Sequence, residues 1–391
     1  MKIFLVAGEE SGDRLGAALM RSLKTMYDGP IEFSGVGGYE MAAEGLPSLF
    51  RIEDLSIVGL AAIPGRLPTI IKRIRQTWRA AIAARPDVMV IIDSPDFTHR
   101  VARRVRRANA SIPIVDYVSP SVWAWRPGRA RAMRRYVDHV LALLPFEPEA
   151  HRKLGGPPCT YVGHPLVEQV GELRPNADEE RRRNASPPVL LVLPGSRRSE
   201  IKRLAEPFRQ AVERIAKQVW PLDIVIPTTT HLADVVMRET ANWALRPQVV
   251  VKREDRRAAF RQARAALAKS GTVTLELAVS GVPMVTAYKV SRIEAAIARR
   301  LITVPSAILT NLVLNEIVVP EFIQEDCTPQ KLADALLPLF SDSPERRRQV
   351  EAFGKLDAIM EIGTAEPARH AAEVVLAEAA RKRVPDALHL S

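Results

Sequence analysis

At 391 residues the chain exceeds the size at which one hydrophobic core usually stops growing, so two domains are expected. Hydrophobic residues at 47% and charged residues at 26% exclude a disordered or fibrous chain, and 56 Lys+Arg against 45 Asp+Glu give a net charge of +11 that favours anionic partners. Two cysteines, Cys159 and Cys327, exclude a disulfide framework and a paired-cysteine zinc site, and no stretch approaches the roughly 20 apolar residues that span a bilayer.

Short β-rich runs alternate with helical patterns from the first residue. An apolar run at 3–6, too short for a signal peptide before its acids, reads as a strand followed by a helix over 12–26. Runs at 88–92, 113–117 and 140–144 continue the strands, separated by helices near 68–84, 97–108 and 128–136. Continuous apolar runs bounded by polar turns suit parallel strands covered on both faces, so the first half is expected to be a Rossmann-like sheet. A polar, charged stretch at 167–188, with a Pro-Pro pair at its end, reads as a linker. Strands at 189–192, 223–226, 248–251, 263–268 and 283–288 then form a second such series, and the chain is helical from 329 onward. The expected domains are therefore 1–166, a linker at 167–188, 189–364, and a C-terminal helix at 365–391 that returns to the first domain.

The first strand-to-helix turn, AGEESGD, couples Gly8 and Gly12 with Glu9, Ser11 and Asp13. Its acids would repel a phosphate, so sugar hydroxyls are the expected partners, against the alternative of a simple helix cap by Ser11 or Asp13. After the third strand DSPDF sets Asp93 and Asp96 at a carboxyl end, where either can act as general base or merely cap a helix. YVSPSVWAWR carries Ser119, Trp123 and Trp125, and GHP carries His164; Ser119, Trp123 and His164 are expected acceptor contacts, the tryptophan lining a pocket and the histidine meeting phosphate, against the bland reading of a core aromatic and a structural histidine.

Two turns in the second half look like phosphate cradles, LPGSRRSE and KSGTVTLE, each following an apolar run and entering a helix. Amides at such helix starts point outward unpaired beside the positive end of the dipole. Arg197 and Ser196 in the first, and Ser270, Gly271 and Thr272 in the second, are the expected diphosphate contacts. Glu276, one turn into the second helix, can accept ribose hydroxyls or simply pair with the helix N-terminus.

AGEESGD, GVGG, DSPDF, YVSPSVWAWR, LPFE, GHP, LPGSRRSEI and SGTVTLE, in this order and nearly end to end, resemble the lipid-A-disaccharide synthases. The resemblance implies an α/β, GT-B fold, two Rossmann-like domains facing across a cleft. It also implies an inverting transfer of 2,3-diacylglucosamine from its UDP derivative to the 6-hydroxyl of 2,3-diacylglucosamine 1-phosphate, with UDP released. Carried over by position, it sets Arg197 and the 270–272 turn on the diphosphate, Glu276 on the ribose, and Asp96 or Asp93 near the acceptor hydroxyl. It implies no metal and no cofactor, and it allows a homodimer through exchanged C-terminal segments. Glu10 stands where a smaller residue is usual, and the helix after DSPDF is unusually basic.

The acceptor would be an anionic, lipid-like sugar, which gives the positive charge a use. Five arginines lie in 100–107 and five more in 126–135. An apolar stripe of Ile63, Leu67, Ile71, Ile74 and Trp78 is expected to meet acyl chains at the inner-leaflet surface, the alternative being a core-facing helix. The expected location is cytoplasmic and peripheral. Rival readings are another GT-B activity on a UDP-sugar, such as an epimerase or a transferase with a soluble acceptor, and an RNA-binding protein, for which the tryptophan loop is the one cluster comparable to an aromatic base platform. Nucleic acid is not an expected partner.

Overall fold

The computed structural model describes residues 1–55, 63–291, 294–295, 304–364 and 366–381, without the side chains of 63–66. The chain divides into two compact units, Met1–Pro165 with Ala365–Ser391, and Leu166–Thr364. Among the described residues each holds one six-stranded parallel sheet, in the orders β2-β1-β3-β4-β5-β6 and β12-β11-β10-β7-β8-β9.

In the first unit the strands are β1 (Lys2–Ala7), β2 (Glu32–Val36), β3 (Val88–Ile92), β4 (Ile114–Tyr117), β5 (His139–Ala142) and β6 (Cys159–Tyr161). Successive residues of β1 serve opposite faces because the side-chain period of a strand is two. Phe4 and Val6 pack with Val101, Ala102 and Val105 of helix Pro95–Ala108, whereas Ile3, Leu5 and Ala7 pack with Leu19, Met20 and Leu23 of helix Glu10–Met26. Each of those leucines contributes about 1.5–3 kcal/mol on burial. The C-terminal helix Pro367–Ala380 covers the same face as helix Glu10–Met26 through Ala371, Ala372 and Val375. Only glycine fits at Gly35 in β2: its φ is +137°, and a Cβ there would lie 1.8 Å from the carbonyl oxygen of Leu5.

The second unit contains β7 (Val189–Leu193), β8 (Asp223–Pro227), β9 (Gln248–Val250), β10 (Ala265–Lys269), β11 (Met284–Tyr288) and β12 (Glu321–Ile323). Leu190 and Val192 of β7 pack on Ile201, Leu204, Phe208 and Val212 of helix Arg198–Ala216 and on Leu332 and Leu336. Residues 167–188, expected as a linker, fold here instead. Asn176 caps helix Ala177–Asn184, its side chain accepting from Asp178 and Glu179, and Arg183 is buried, donating to the carbonyls of Phe260 and Ser280 at 3.2 and 2.9 Å. The charge that looked like solvated linker serves capping and carbonyl bonding.

The helix Ile63–Ala84 corrects another expectation. Ile74 is only 2% exposed, and Ile70, Trp78 and Ile82 pack against the same core, so Ile74 and Trp78 face the sheet. Leu67 and Ile71 are the exposed members of the stripe, at 43% and 52%; the Ile63 side chain and residues 56–62 lie outside the described residues. Among the described residues no helix is long and apolar enough to cross a membrane.

Candidate active site

In the second unit β10 pairs with β7 in parallel, Ala265 beside Leu190 and Ala268 beside Leu193. The turns that follow, 194–197 and 269–272, therefore leave the sheet side by side. Strand order also reverses here, β8 and β9 lying on one side of β7 and β10 on the other, which is the switch point where open α/β sheets take ligands. The two cradle motifs are thus brought to one place.

A buried carboxylate ties them together. Glu200, 6% exposed, accepts from the Ser196 N–H at 3.0 Å and lies 3.1 Å from Lys269 Nζ. Lys269 Nζ also sits 5.1 Å from the ring centroid of Tyr288. Gly195 has φ +132°, and a Cβ there would meet Glu200 Cβ at 2.6 Å, so glycine is required at this turn. Arg197 is left largely in solvent, its side chain 78% exposed and 3.8 Å from Glu200. Sequence reasoning missed Glu200 and Lys269; the signal was the acid three residues beyond the helix's N-cap, where capping carboxylates sit.

The second turn is divided between framework and opening. Ser270 is buried, donating its N–H to Ala287 at 2.9 Å and its hydroxyl to Glu321 at 3.2 Å, so its side chain is turned away from the mouth expected for it. Burial raises the Glu321 carboxyl, against hydrogen bonds from Ala307, Ser270 and Ser306. The N–H groups of Gly271 and Thr272 take no protein partner among the described residues, and a Cβ on Gly271 would meet nothing nearer than Lys269 Nζ at 3.5 Å. Glu276 lies in helix Val273–Val279 with its carboxylate 3.9 Å from Arg257. Burial pushes its pKa up, while Arg257 and Arg256 oppose that.

The first unit has a matching switch point between β1 and β3, with β2 beyond β1 and β4 beyond β3. Here the AGEESGD and DSPDF turns interlock. Ser11 donates to Asp93 at 3.0 Å, Ser94 donates to Glu9 at 3.2 Å, and a Cβ on Gly8 would lie 2.5 Å from Ser94 Cβ. Asp93 and Ser94 hold φ of +53° and +48°, and Asp93 accepts from its neighbour's N–H at 2.7 Å. Such left-handed residues persist where surrounding structure enforces them, and they cluster at functional turns. Asp96 stands exposed in the first turn of helix Pro95–Ala108.

Gly12 and Asp13 belong to the framework instead. A Cβ on Gly12 would lie 3.2 Å from the Ile92 carbonyl, and buried Asp13 accepts from Gly38, Glu40 and Met41 at 2.7, 2.9 and 3.1 Å, capping helix Tyr39–Ala43. Beside that helix opens a cavity of about 790 Å³ lined by Gly37, Gly38, Tyr39, Phe50, Arg51 and Thr69. Ser119 is buried with its hydroxyl 2.8 Å from His151, and Trp123 donates to Glu147 at 3.0 Å. Burial holds His164 down at about 4, a neutral imidazole.

A model of the lipid-A-disaccharide synthetase family matches residues 3–375 of the chain. A lipid-A-disaccharide synthase of Nitrobacter winogradskyi is 62% identical over 375 residues, covering 96% of this chain and 95% of its own length. One from Rhodospirillum centenum is 44% identical over 386 residues, with 98% and 96% covered. Among solved structures, a UDP-N-acetylglucosamine 2-epimerase superposes with a TM-score of 0.60 over 99% of both chains at 11% identity. The calicheamicin glycosyltransferase CalG4 gives 0.55 over 97% and 98% at 18%. At such identities the likeness carries the fold, which is GT-B. A family model spanning nearly the whole chain and relatives at this identity make the chain a member of the lipid-A-disaccharide synthetase family.

Proposed function

We propose that, in the lipid A disaccharide synthesis to which family membership assigns this enzyme, the second unit holds the UDP part of the donor and the first unit holds the acceptor. The observation that carries this is the pairing of β7 with β10, which sets the helix-entry turn that bears Arg197 next to the one with open amides at Gly271 and Thr272. A diphosphate there meets Arg197 and the amides of Gly271 and Thr272, and Glu276 takes the ribose hydroxyls.

On the first unit Asp96 accepts the proton of the acceptor's 6-hydroxyl as that oxygen bonds to the donor's anomeric carbon. The bond from that carbon to the diphosphate breaks with inversion, and the electron pair leaves on UDP, where Arg197 and the amides meet the growing charge. Gly8, Glu9 and Ser11 border the acceptor, and Asp93 orients the turn. Calorimetry with UDP tests the donor half: wild type binds, and Arg197→Ala binds about 10–100-fold more weakly, as loss of a charge-assisted pair requires. Equal binding by both proteins removes Arg197 from the site.

The acyl chains of both substrates make a peripheral place at the cytoplasmic face of the inner membrane part of the same reading. Leu67 and Ile71 supply exposed apolar contacts, with Lys72, Arg75 and Arg79 exposed around them. Arg73 does not belong to this group, because it donates to Asp54 at 3.0 Å and lies 4.6 Å over the Phe50 ring. Replacing Lys72, Arg75 and Arg79 together by Glu abolishes binding to anionic vesicles if this surface docks; unchanged binding removes it. A dimer by exchange of C-terminal segments belongs here too, and sedimentation as a monomer excludes it.

A further inference from the structure

The segment 118–126 leaves β4 under strain. Val118 has φ +85° and Arg126 has φ +54°, positions that cost about 1–3 kcal/mol each for residues with a Cβ, most for a β-branched one. This loop emerges beside the DSPDF turn, since Asp93 donates its N–H to Tyr117 at 3.0 Å and Arg129, just past the loop, donates to the Pro95 carbonyl at 3.2 Å. Its conformation is therefore set next to the residues that handle the acceptor.

Two side chains from a single helix hold it. Helix Glu147–Lys153 starts after β5 and carries Glu147 and His151 four residues apart, on one face. Glu147 Oε1 accepts the indole N–H of Trp123 at 3.0 Å while its Oε2 accepts the Leu144 N–H at 3.0 Å. His151 Nε2 lies 2.8 Å from the hydroxyl of Ser119, which also lies 3.1 Å from the Pro120 carbonyl. The Trp123 ring meets Phe146 edge-on at 5.1 Å. Glu147 is 3% exposed and His151 is fully buried.

A buried carboxylate is a poor source of net stability, because desolvation offsets most of what its contacts return. What two N–H donors on one carboxylate do supply is orientation. We propose that Glu147, with His151, is a positioning residue for the transfer reaction, clamping the loop 118–126 at Trp123 and Ser119 so that it presents its outer side to the acceptor. The proposal rests on the reading that the strand ends of the first unit take the acceptor.

The test is UDP release with donor and acceptor varied separately, on wild type, Glu147→Ala, Glu147→Gln, Trp123→Phe and Ser11→Ala, with UDP calorimetry alongside. Glu147→Ala raises the acceptor KM tenfold or more and leaves donor KM and UDP affinity unchanged. Glu147→Gln keeps one acceptor oxygen for two donors and falls between. Trp123→Phe, which lacks the N–H, adds nothing further in the Glu147→Ala background. The donors to Glu147 are N–H groups, so the ionised acid serves them better than the protonated one. Acceptor KM in wild type therefore falls as pH rises through about 7, the value to which burial raises this carboxyl, and Glu147→Gln flattens that profile. Asp116 and Cys159 face Glu147 from β4 and β6; burial keeps the Cys159 thiol protonated, and burial keeps His151 neutral. Equal rises in donor and acceptor KM overturn the clamp. So does an unchanged acceptor KM in Glu147→Ala and Glu147→Gln when Ser11→Ala raises it, a result that leaves the acceptor reading standing. If none of the variants moves acceptor KM, clamp and acceptor reading fall together.

Discussion

Glu200 and Lys269 meet at 3.1 Å beneath two neighbouring strand ends, although 69 residues separate them along the chain. The pair does more than neutralise charge. The same carboxylate holds the Ser196 N–H, so the 194–197 turn and the end of β10 are fixed relative to each other before any ligand arrives. Preorganised donors need no rearrangement as charge develops on a leaving group.

Glu200→Gln leaves Lys269 without its anion in a largely buried position. We expect a loss of about 2 kcal/mol or more in stability, since breaking one side of a buried pair strands the other charge. Thermal unfolding reads this as a fall of several degrees, about 2–4 °C for each kcal/mol in a unit of this size. UDP affinity falls with it. A variant that melts like wild type would show that Lys269 is held by other groups.

The two cradle glycines separate folding from binding. Gly195→Ala meets Glu200 Cβ at 2.6 Å on a left-handed backbone and should lower the melting temperature sharply. Gly271→Ala has room, its nearest neighbour being Lys269 Nζ at 3.5 Å, so it folds like wild type. Its methyl group stands beside the open amides, and UDP affinity is expected to drop at least tenfold in calorimetry. An unimpaired Gly271→Ala would move the diphosphate off this turn.

The two acids of DSPDF should also part company. Asp96→Ala removes an exposed carboxylate with no hydrogen bond or ion pair among the described residues, so kcat falls about 10²–10⁴-fold with stability little changed, as loss of a general base requires. Asp93→Ala deletes the acceptor for Ser11 and for the Ser94 N–H at a residue with φ +53°. It lowers the melting temperature and activity together. Steady-state UDP release beside a thermal melt distinguishes the pair, and the reverse pattern would exchange their roles.

Much of this architecture can be read in the chain because its central strands are continuous apolar runs, as in β1, β3 and β7. The strands that escaped notice are edges. β2 contains Ser34 and Gly35, and β6 and β12 have three residues each, too few for a period to declare itself. The cradle turns were visible because glycine, serine and arginine cluster at strand ends. Glu147, His151 and Glu200 were not, since a polar residue in the first turns of a helix looks solvated until tertiary contacts bury it. The stripe through Ile74 and Trp78 failed for a related reason: a core-facing and a lipid-facing helix share one apolar period, and only packing tells them apart.

Stability against pH offers a sharper check on the buried carboxyl, because two groups of the first unit oppose each other. Burial raises Glu147 from 4.5 to about 7. The folded unit then holds a proton that the unfolded chain releases, so this contribution is complete below pH 4.5 and is lost as pH rises through 7. Burial lowers His164 from 6.5 to about 4, so its contribution is present above 6.5 and is lost as pH falls through 4. Each amounts to roughly 3 kcal/mol, because a tenfold change in proton affinity is worth about 1.4 kcal/mol. Between pH 4.5 and 6.5 the two slopes oppose each other in wild type, and His151, which burial also lowers, adds to the rising one. Glu147→Gln removes the falling one, so amide hydrogen exchange in β4 and β5 should report stability that climbs with pH across that window more steeply than in wild type. Parallel profiles for the two proteins would mean that Glu147 titrates in the native state as it does in the unfolded chain.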